Sequence, residues 1–251
     1  PVVITERAHR HLFQGTAARV LLIEDIDLVN GPRLETPYSP SPNDLLYVLF
    51  TSGSTGRPKG VAMHQAPLAN LLQWQLRTSV CTAADRTLQF APISFDVSFQ
   101  EIFTTLAQGG TLVLITDEDR LNSTQLLRKI IAEKINRIIV PFVALQYLAE
   151  AVERTGEVPS SLKEVFTSGE QLRITPAISN LFKQLPGTRF CNQYGPTEGH
   201  VVSELELQGD PSTWPALPNI GSSLGASMTE VQWSLMAFFI SVGLGQLIYG
   251  P

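Results

Sequence analysis

The chain reads as an α/β fold, a largely parallel sheet with flanking helices. Three observations predict it. Short runs of strand-forming residues alternate with segments whose apolar residues recur at helical spacing, over most of the 251 residues. Hydrophobic residues make up 43%, enough for a core, and the 16% of charged residues is low for a disordered chain. Clusters of Gly, Ser, Thr and Pro follow the predicted strands, at the carboxyl ends where open sheets of this kind bind ligands.

Taken in order, residues 19–24 (RVLLIE) read as a short strand. A polar connection with Gly31, Pro32, Pro37, Pro40 and Pro42 follows. The apolar run 45–50 (LLYVLF) predicts a buried strand. Leu68, Leu71, Leu72 and Leu76 share a helical spacing and predict a helix over 67–77. The alternation then repeats: strand 87–91, then a helix over 97–108 closed by Gly109-Gly110. Strand 111–116 precedes helix 123–134, and strand 136–140 precedes helix 142–155. Strand 164–167 precedes helix 175–185, and strand 188–192 runs into a Tyr-Gly-Pro-Thr-Glu sequence.

Composition narrows the function classes. A net charge of −5 without a cluster of Lys and Arg argues against nucleic-acid binding. Cys81 and Cys191 read as buried, reduced thiols of a cytoplasmic protein, and the four histidines show no metal-binding spacing. The N-terminus shows no signal peptide, and the missing initiator Met predicts a fragment. Residues 231–248 are apolar in patches, but Gln232, Ser234, Ser241 and Gln246 interrupt them, which argues against a span of about 20 residues.

The stretch 51–60, TSGSTGRPKG, has the chemistry of a phosphate-binding loop. Its glycines let the backbone approach a ligand closely, its hydroxyls and amides donate, and Lys59 adds a compact positive charge. It is not the common P-loop, because Pro58 stands where the second Gly is needed and Gly60 follows Lys59. A Ser/Thr/Gly-rich linker is the other reading of such a stretch. The sequence resembles the signature loop of the adenylate-forming superfamily, which includes acyl-CoA synthetases, luciferases and the adenylation domains of non-ribosomal peptide synthetases. The resemblance implies that Thr51, Ser52, Gly53, Ser54, Thr55, Gly56 and Lys59 hold the β- and γ-phosphates of ATP.

Two further motifs occur in the order that family shows. Ser94-Phe95-Asp96-Val97-Ser98 puts a carboxylate where a strand gives way to a helix, a position that also suits a helix N-cap. The resemblance to peptide-synthetase adenylation domains implies that Asp96 pairs with the α-ammonium of an amino acid. An acyl-CoA synthetase has no ammonium to neutralise, so Asp96 favours the amino-acid subclass. In Asn192-Gln193-Tyr194-Gly195-Pro196-Thr197-Glu198, the resemblance implies that Asn192 bonds the adenine edge and Tyr194 stacks on the ring. It also implies that Gly195 lines the nucleotide, that Thr197 contacts the α-phosphate, and that Glu198 holds Mg²⁺. By the same resemblance the segment Thr167-Ser168-Gly169-Glu170, with its turn glycine, passes against the adenine and the substrate pocket. Lys59, Thr197 and Glu198 are then the candidate catalytic residues.

Alignment by motif lines a substrate pocket with Asp96, Val97, Gln100, Ile139, Phe166, Ser168, Gln193, Val201 and Val202. Val97, Gln100, Ile139, Val201 and Val202 resemble proline-activating domains, whereas Phe166, Ser168 and Gln193 depart from them. The implied reaction joins an amino acid to ATP as an aminoacyl-adenylate, with transfer to the 4′-phosphopantetheine thiol of a carrier domain. Carrier and condensation domains of a larger synthetase are the implied partners. The likeness covers 1–221, an incomplete N-terminal part of the adenylate-forming domain, and 222–251 form a divergent tail. The family's ribose-binding Asp and its C-terminal catalytic Lys have no counterpart here. A non-catalytic remnant and an acyl-CoA synthetase-type ligase remain as alternative readings.

Overall fold

The computed structural model describes residues 1–27, 31, 39–51 and 58–214. The chain divides into two compact units, Pro1–Pro40 and Ser41–Pro251. In the first, β1 (Val2–Thr5) pairs in parallel with β2 (Arg19–Leu22), and 3₁₀ turns over Arg7–Phe13 connect them. The predicted strand 19–24 ends early, because Ile23–Asp25 turn into a second 3₁₀ helix.

The second unit opens with an antiparallel hairpin, β3 (Leu45–Thr51) and β4 (Lys59–His64), which brackets residues 52–57. Two expectations are corrected here. Residues 59–60 begin a strand rather than ending a loop: Lys59 pairs with Thr51, and further along β4 Met63 is buried opposite Tyr47. The run 45–50 is also not a fully buried strand. Tyr47 is buried against the Phe99 ring, at a centroid distance of 4.1 Å, but Val48 and Phe50 are 44% and 72% exposed. A two-stranded ribbon buries one face against its support, and a continuous apolar run does not reveal which face is left open.

Six strands build the main sheet in the order β10-β9-β8-β7-β5-β6: β5 (Arg86–Gln89), β6 (Thr111–Leu114), β7 (Arg137–Val140), β8 (Glu164–Thr167), β9 (Arg189–Tyr194) and β10 (Ser203–Leu207). The neighbours from β6 to β9 are parallel and β10 is antiparallel, so the sheet is largely parallel, as the alternation predicts. β10 was not expected. Its sequence SELEL alternates. Leu207 joins the core opposite Phe190, and Glu204 and Glu206 on the other face are held by Arg189 of β9, so only one residue carries an apolar signal for burial.

Successive residues of β7, β8 and β9 point to opposite faces. Ile138, Val140, Val165 and Phe190 join the core under α4 (Ser123–Ala132), α5 (Phe142–Thr155) and α6 (Pro176–Lys183). Ile139, Phe166 and Cys191 pack on the other face, against Val97 of α2 (Val97–Ala107), and α1 (Gln65–Thr78) lies beside α2. Several helices have a local cause at their ends. Thr175 caps α6 ahead of Pro176 at its first turn, and Asn122 caps α4. Gly156 ends α5 in the left-handed conformation (φ 72°), where other residues are strained. A short helix outside the predicted elements, α3 (Asp117–Leu121), starts at a reciprocal capping box formed by Thr116 and Asp119.

Candidate functional site

A cleft of about 510 Å³ opens at the carboxyl ends of β5, β7, β8 and β9. Its walls come from the segments that follow these strands: Phe90–Pro92, Pro141, Ser168–Glu170 and Tyr194–Thr197. Parallel strands end together, so residues far apart in sequence converge there.

Asp96 stands at the start of α2, half-buried, with Oδ1 accepting from the Val97 amide at 2.9 Å. It is therefore the N-cap that its position allows, and it also faces the cleft. Among the described residues no Lys, Arg or His side chain forms an ion pair with it. Its carboxylate and burial together push the Tyr47 hydroxyl up to about 12, burial being the larger cause.

Val97, Ile139, Ser168, Gln193 and Val201 line the cleft with Asp96. Gln100, Phe166 and Val202 do not. Gln100 is fully buried behind the wall, and Phe166 belongs to the core with Ile139 and Cys191. Val202 is 56% exposed outside the cleft. Of the expected nucleotide contacts, Gly169, Tyr194, Gly195 and Thr197 line the cleft, and Tyr194 is 53% exposed. Asn192 is half-buried on β9 between Thr167 and Leu205. Thr51 and Lys59 pair across the hairpin, with Lys59 exposed. Ser52, Gly53, Ser54, Thr55 and Gly56 lie outside the described residues, as does the tail 222–251.

Three further groups belong here. His200 is buried at the cleft with φ 57°, its Nε2 2.9 Å from the Asp96 carbonyl oxygen. Burial lowers its pKa, although the nearby Asp96 works in the opposite direction. Glu170 lines the cleft and accepts from the Val143 amide at 3.1 Å, at the start of α5. Glu101 is buried behind the wall and accepts from the Phe90 and Ala91 amides, which fixes that part of it. His200 and Glu101 have no motif of their own, whereas Glu170 ends the predicted Thr167-Ser168-Gly169-Glu170 segment that follows a strand.

Glu198 is exposed next to Thr197. A single carboxylate suits Mg²⁺, which keeps several waters and is bound through one or two carboxylates plus substrate phosphates. No group of three or more His, Cys, Asp or Glu able to hold a metal occurs among the described residues. No helix among them is long and apolar enough to cross a membrane.

Residues 5–233 match the model of the AMP-binding enzyme family. The chain belongs to that family. It is 33% identical over 226 residues to gramicidin S synthase 2 of Brevibacillus brevis, covering 89% of this chain and 5% of the synthase. It is 33% identical over 227 residues to tyrocidine synthase 2 of Brevibacillus parabrevis, covering 89% of this chain and 6% of that one. The chain thus spans only about a twentieth of the length of these curated relatives. The crystal structure of the nonribosomal peptide synthetase FmoA3 superposes with a TM-score of 0.75 and 25% identity, over 86% of this chain and 23% of that one. A form of FmoA3 with AMPPNP bound superposes at a TM-score of 0.73. The chain thus shares its family with AMP-binding enzymes and its fold with part of a nonribosomal peptide synthetase.

Proposed function

We propose that this chain takes part in activating an amino acid as its aminoacyl-adenylate within a non-ribosomal peptide synthetase. The observation that carries the proposal is Asp96, a half-buried carboxylate in the cleft with no ion-pair partner among the described residues. A carboxylate taken partly out of water is costly unless a cation meets it, and the α-ammonium of an amino acid is such a cation. A fatty acid brings none.

In this reading the amino acid's carboxylate attacks the α-phosphorus of ATP. The new bond joins carboxyl oxygen to phosphorus, and the bond to the bridging oxygen breaks as pyrophosphate leaves. Tyr194 stacks on the adenine, Asn192 reads its edge, and Gly169 and Gly195 leave room for the nucleotide. Thr197 steadies the α-phosphate, and Lys59, with Thr51 and the hydroxyls and amides of residues 52–56, holds the outer phosphates. Catalysis then rests on positioning and charge neutralisation. Mg²⁺ at Glu198 would supply further positive charge against the phosphates.

The side-chain end of the cleft, with Val97, Ile139 and Val201, suits a small apolar amino acid such as proline. Gln100, Phe166 and Val202 would act on specificity from outside the lining. Carrier loading through a phosphopantetheine thiol, partnership with carrier and condensation domains, and a cytoplasmic location complete the proposal. The buried free thiols Cys81 and Cys191 are compatible with a reducing compartment.

The test compares proline with cyclopentanecarboxylate, which lacks the nitrogen, by calorimetric titration of wild type and Asp96→Ala. Wild type should prefer proline, and Asp96→Ala should lose about 2–5 kcal/mol of proline binding with no loss for the analogue. Equal binding of both acids by wild type would refute the role of Asp96.

A further inference from the structure

Gln193 lines the cleft, yet only 2% of it is exposed and both polar atoms of its amide are engaged. Its Nε2 donates to Glu204 Oε2 at 2.8 Å, and its Oε1 accepts from Gln100 Nε2 at 3.1 Å. Gln100 Nε2 also donates to Gln75 Oε1 at 3.1 Å, which accepts in addition from Thr104 Oγ1 at 3.0 Å. Gln75, Gln100 and Thr104 are buried.

The direction of this ladder is set at one end. A carboxylate only accepts and a guanidinium only donates. Glu204 Oε1 accepts from Arg189 Nη2 at 2.7 Å, so Oε2 faces Gln193 and demands a donor. Gln193 must turn its nitrogen to Glu204 and its oxygen to Gln100, and Gln100 must answer with its nitrogen. Glu204 stands directly across from Gln193 in the β9–β10 register, so the contact comes from strand pairing and not from a loop.

We propose that Glu204 is a specificity-determining positioning residue, which holds the Gln193 amide back from the cleft and leaves its side-chain end apolar. The inference rests on the amino-acid-activating reading of that cleft. A hydrophobic pocket discriminates weakly against polar isosteres, whereas an unpaired amide turned into it would welcome them. Removing Glu204 leaves the Gln193 nitrogen without its partner and free to turn toward the substrate.

The conservative variant makes an internal control. In Glu204→Gln, Arg189 still requires an oxygen, so the new amide turns its nitrogen to Gln193. Gln193, Gln100 and Gln75 can each reverse in step, since Thr104 Oγ1 accepts as well as donates. The ladder then runs the other way but remains closed. Glu204→Leu cannot close it.

The experiment titrates proline, valine, serine and asparagine into the full chain by calorimetry, with urea unfolding of each variant to confirm folding. Side-chain amide hydrogen exchange of Gln193, followed by NMR, reports the ladder without reference to function. Wild type and Glu204→Gln should bind the apolar pair preferentially and protect the Gln193 amide. Glu204→Leu should lose that protection and shift the apolar-to-polar preference at least about tenfold, or 1.4 kcal/mol, toward serine and asparagine. If Glu204→Leu does not fold, Glu204→Ala, which also cannot close the ladder, takes its place. If wild type binds amino acids and the leucine variant keeps both protection and preference, the inference fails alone. If wild type binds none of the four, the activation reading fails and the inference falls with it.

Discussion

At Gly195 the backbone runs so close to the His200 carbonyl that a Cβ would overlap it. No side-chain adjustment can relieve a clash with backbone, so any substitution must move the 195–200 segment. Gly195→Ala should lower ATP affinity by at least about tenfold, 1.4 kcal/mol, measured by fluorescent nucleotide displacement; unchanged affinity would mean that the segment does not touch the nucleotide. Much of the site at this scale was legible in the sequence, because the motif residues are constrained by chemistry. Asp96, Val97, Ile139, Ser168, Gln193, Val201, Gly169, Tyr194, Gly195 and Thr197 all reach one cleft. His200 and Glu204 were not legible. Their roles depend on partners 104 and 11 residues away in the chain, a relation that no local pattern encodes.

Among the elements, the parallel strands β7, β8 and β9 each begin with a charged residue, and these meet inside the protein. Arg137 Nε donates to Glu164 Oε2 at 2.7 Å, with both side chains at most 1% exposed. Ser79 Oγ and the Val80 amide also donate to Glu164, at 3.0 and 2.8 Å, and Arg189 approaches it at 3.7 Å. Arg137 donates further to Ser79 Oγ and, at 3.0 Å, to Gln108 Oε1. Breaking such a pair from one side strands the other charge away from water. Arg137→Met should cost about 3–5 kcal/mol in urea unfolding. Adding Glu164→Leu should recover part of that loss, because the stranded carboxylate goes with it. The strands, including these charged first residues, were predictable from their apolar centres, but the burial of the charges was not, since charge usually signals a surface. The same bias hid β10, whose glutamates pair with Arg189, and β4, where Lys59 and Gly60 read as loop.

For the whole molecule, one buried carboxyl leaves a mark on the pH dependence of stability. Burial pushes Glu101 up to about 8, against the Phe90 and Ala91 amides and the Gln89 side chain, which favour its ionised form. Its ordinary value is 4.5. Between those values the folded protein holds a proton that the unfolded chain has lost, so stability from this group is present below about 4.5 and falls as the pH rises toward 8. Urea unfolding from pH 5 to 9 should show wild type losing stability relative to Glu101→Gln up to about pH 8 and then holding a constant deficit above it. A constant difference over the whole range would place the Glu101 pKa near its ordinary value. The alternation of strands and helices made the α/β architecture legible at this scale, and the family match and the structural superposition agree with it. The split into two units at Pro40 was not legible, because the proline-rich connection reads equally as a loop within one body.

The most direct test of the central claim is amino-acid-dependent ATP–pyrophosphate exchange by the purified chain, over a panel that includes proline, with Lys59→Ala as control. Exchange driven by one small apolar amino acid and lost in the control is the predicted result. A folded chain that exchanges with no amino acid, or one that exchanges equally well after Lys59→Ala, would contradict the account.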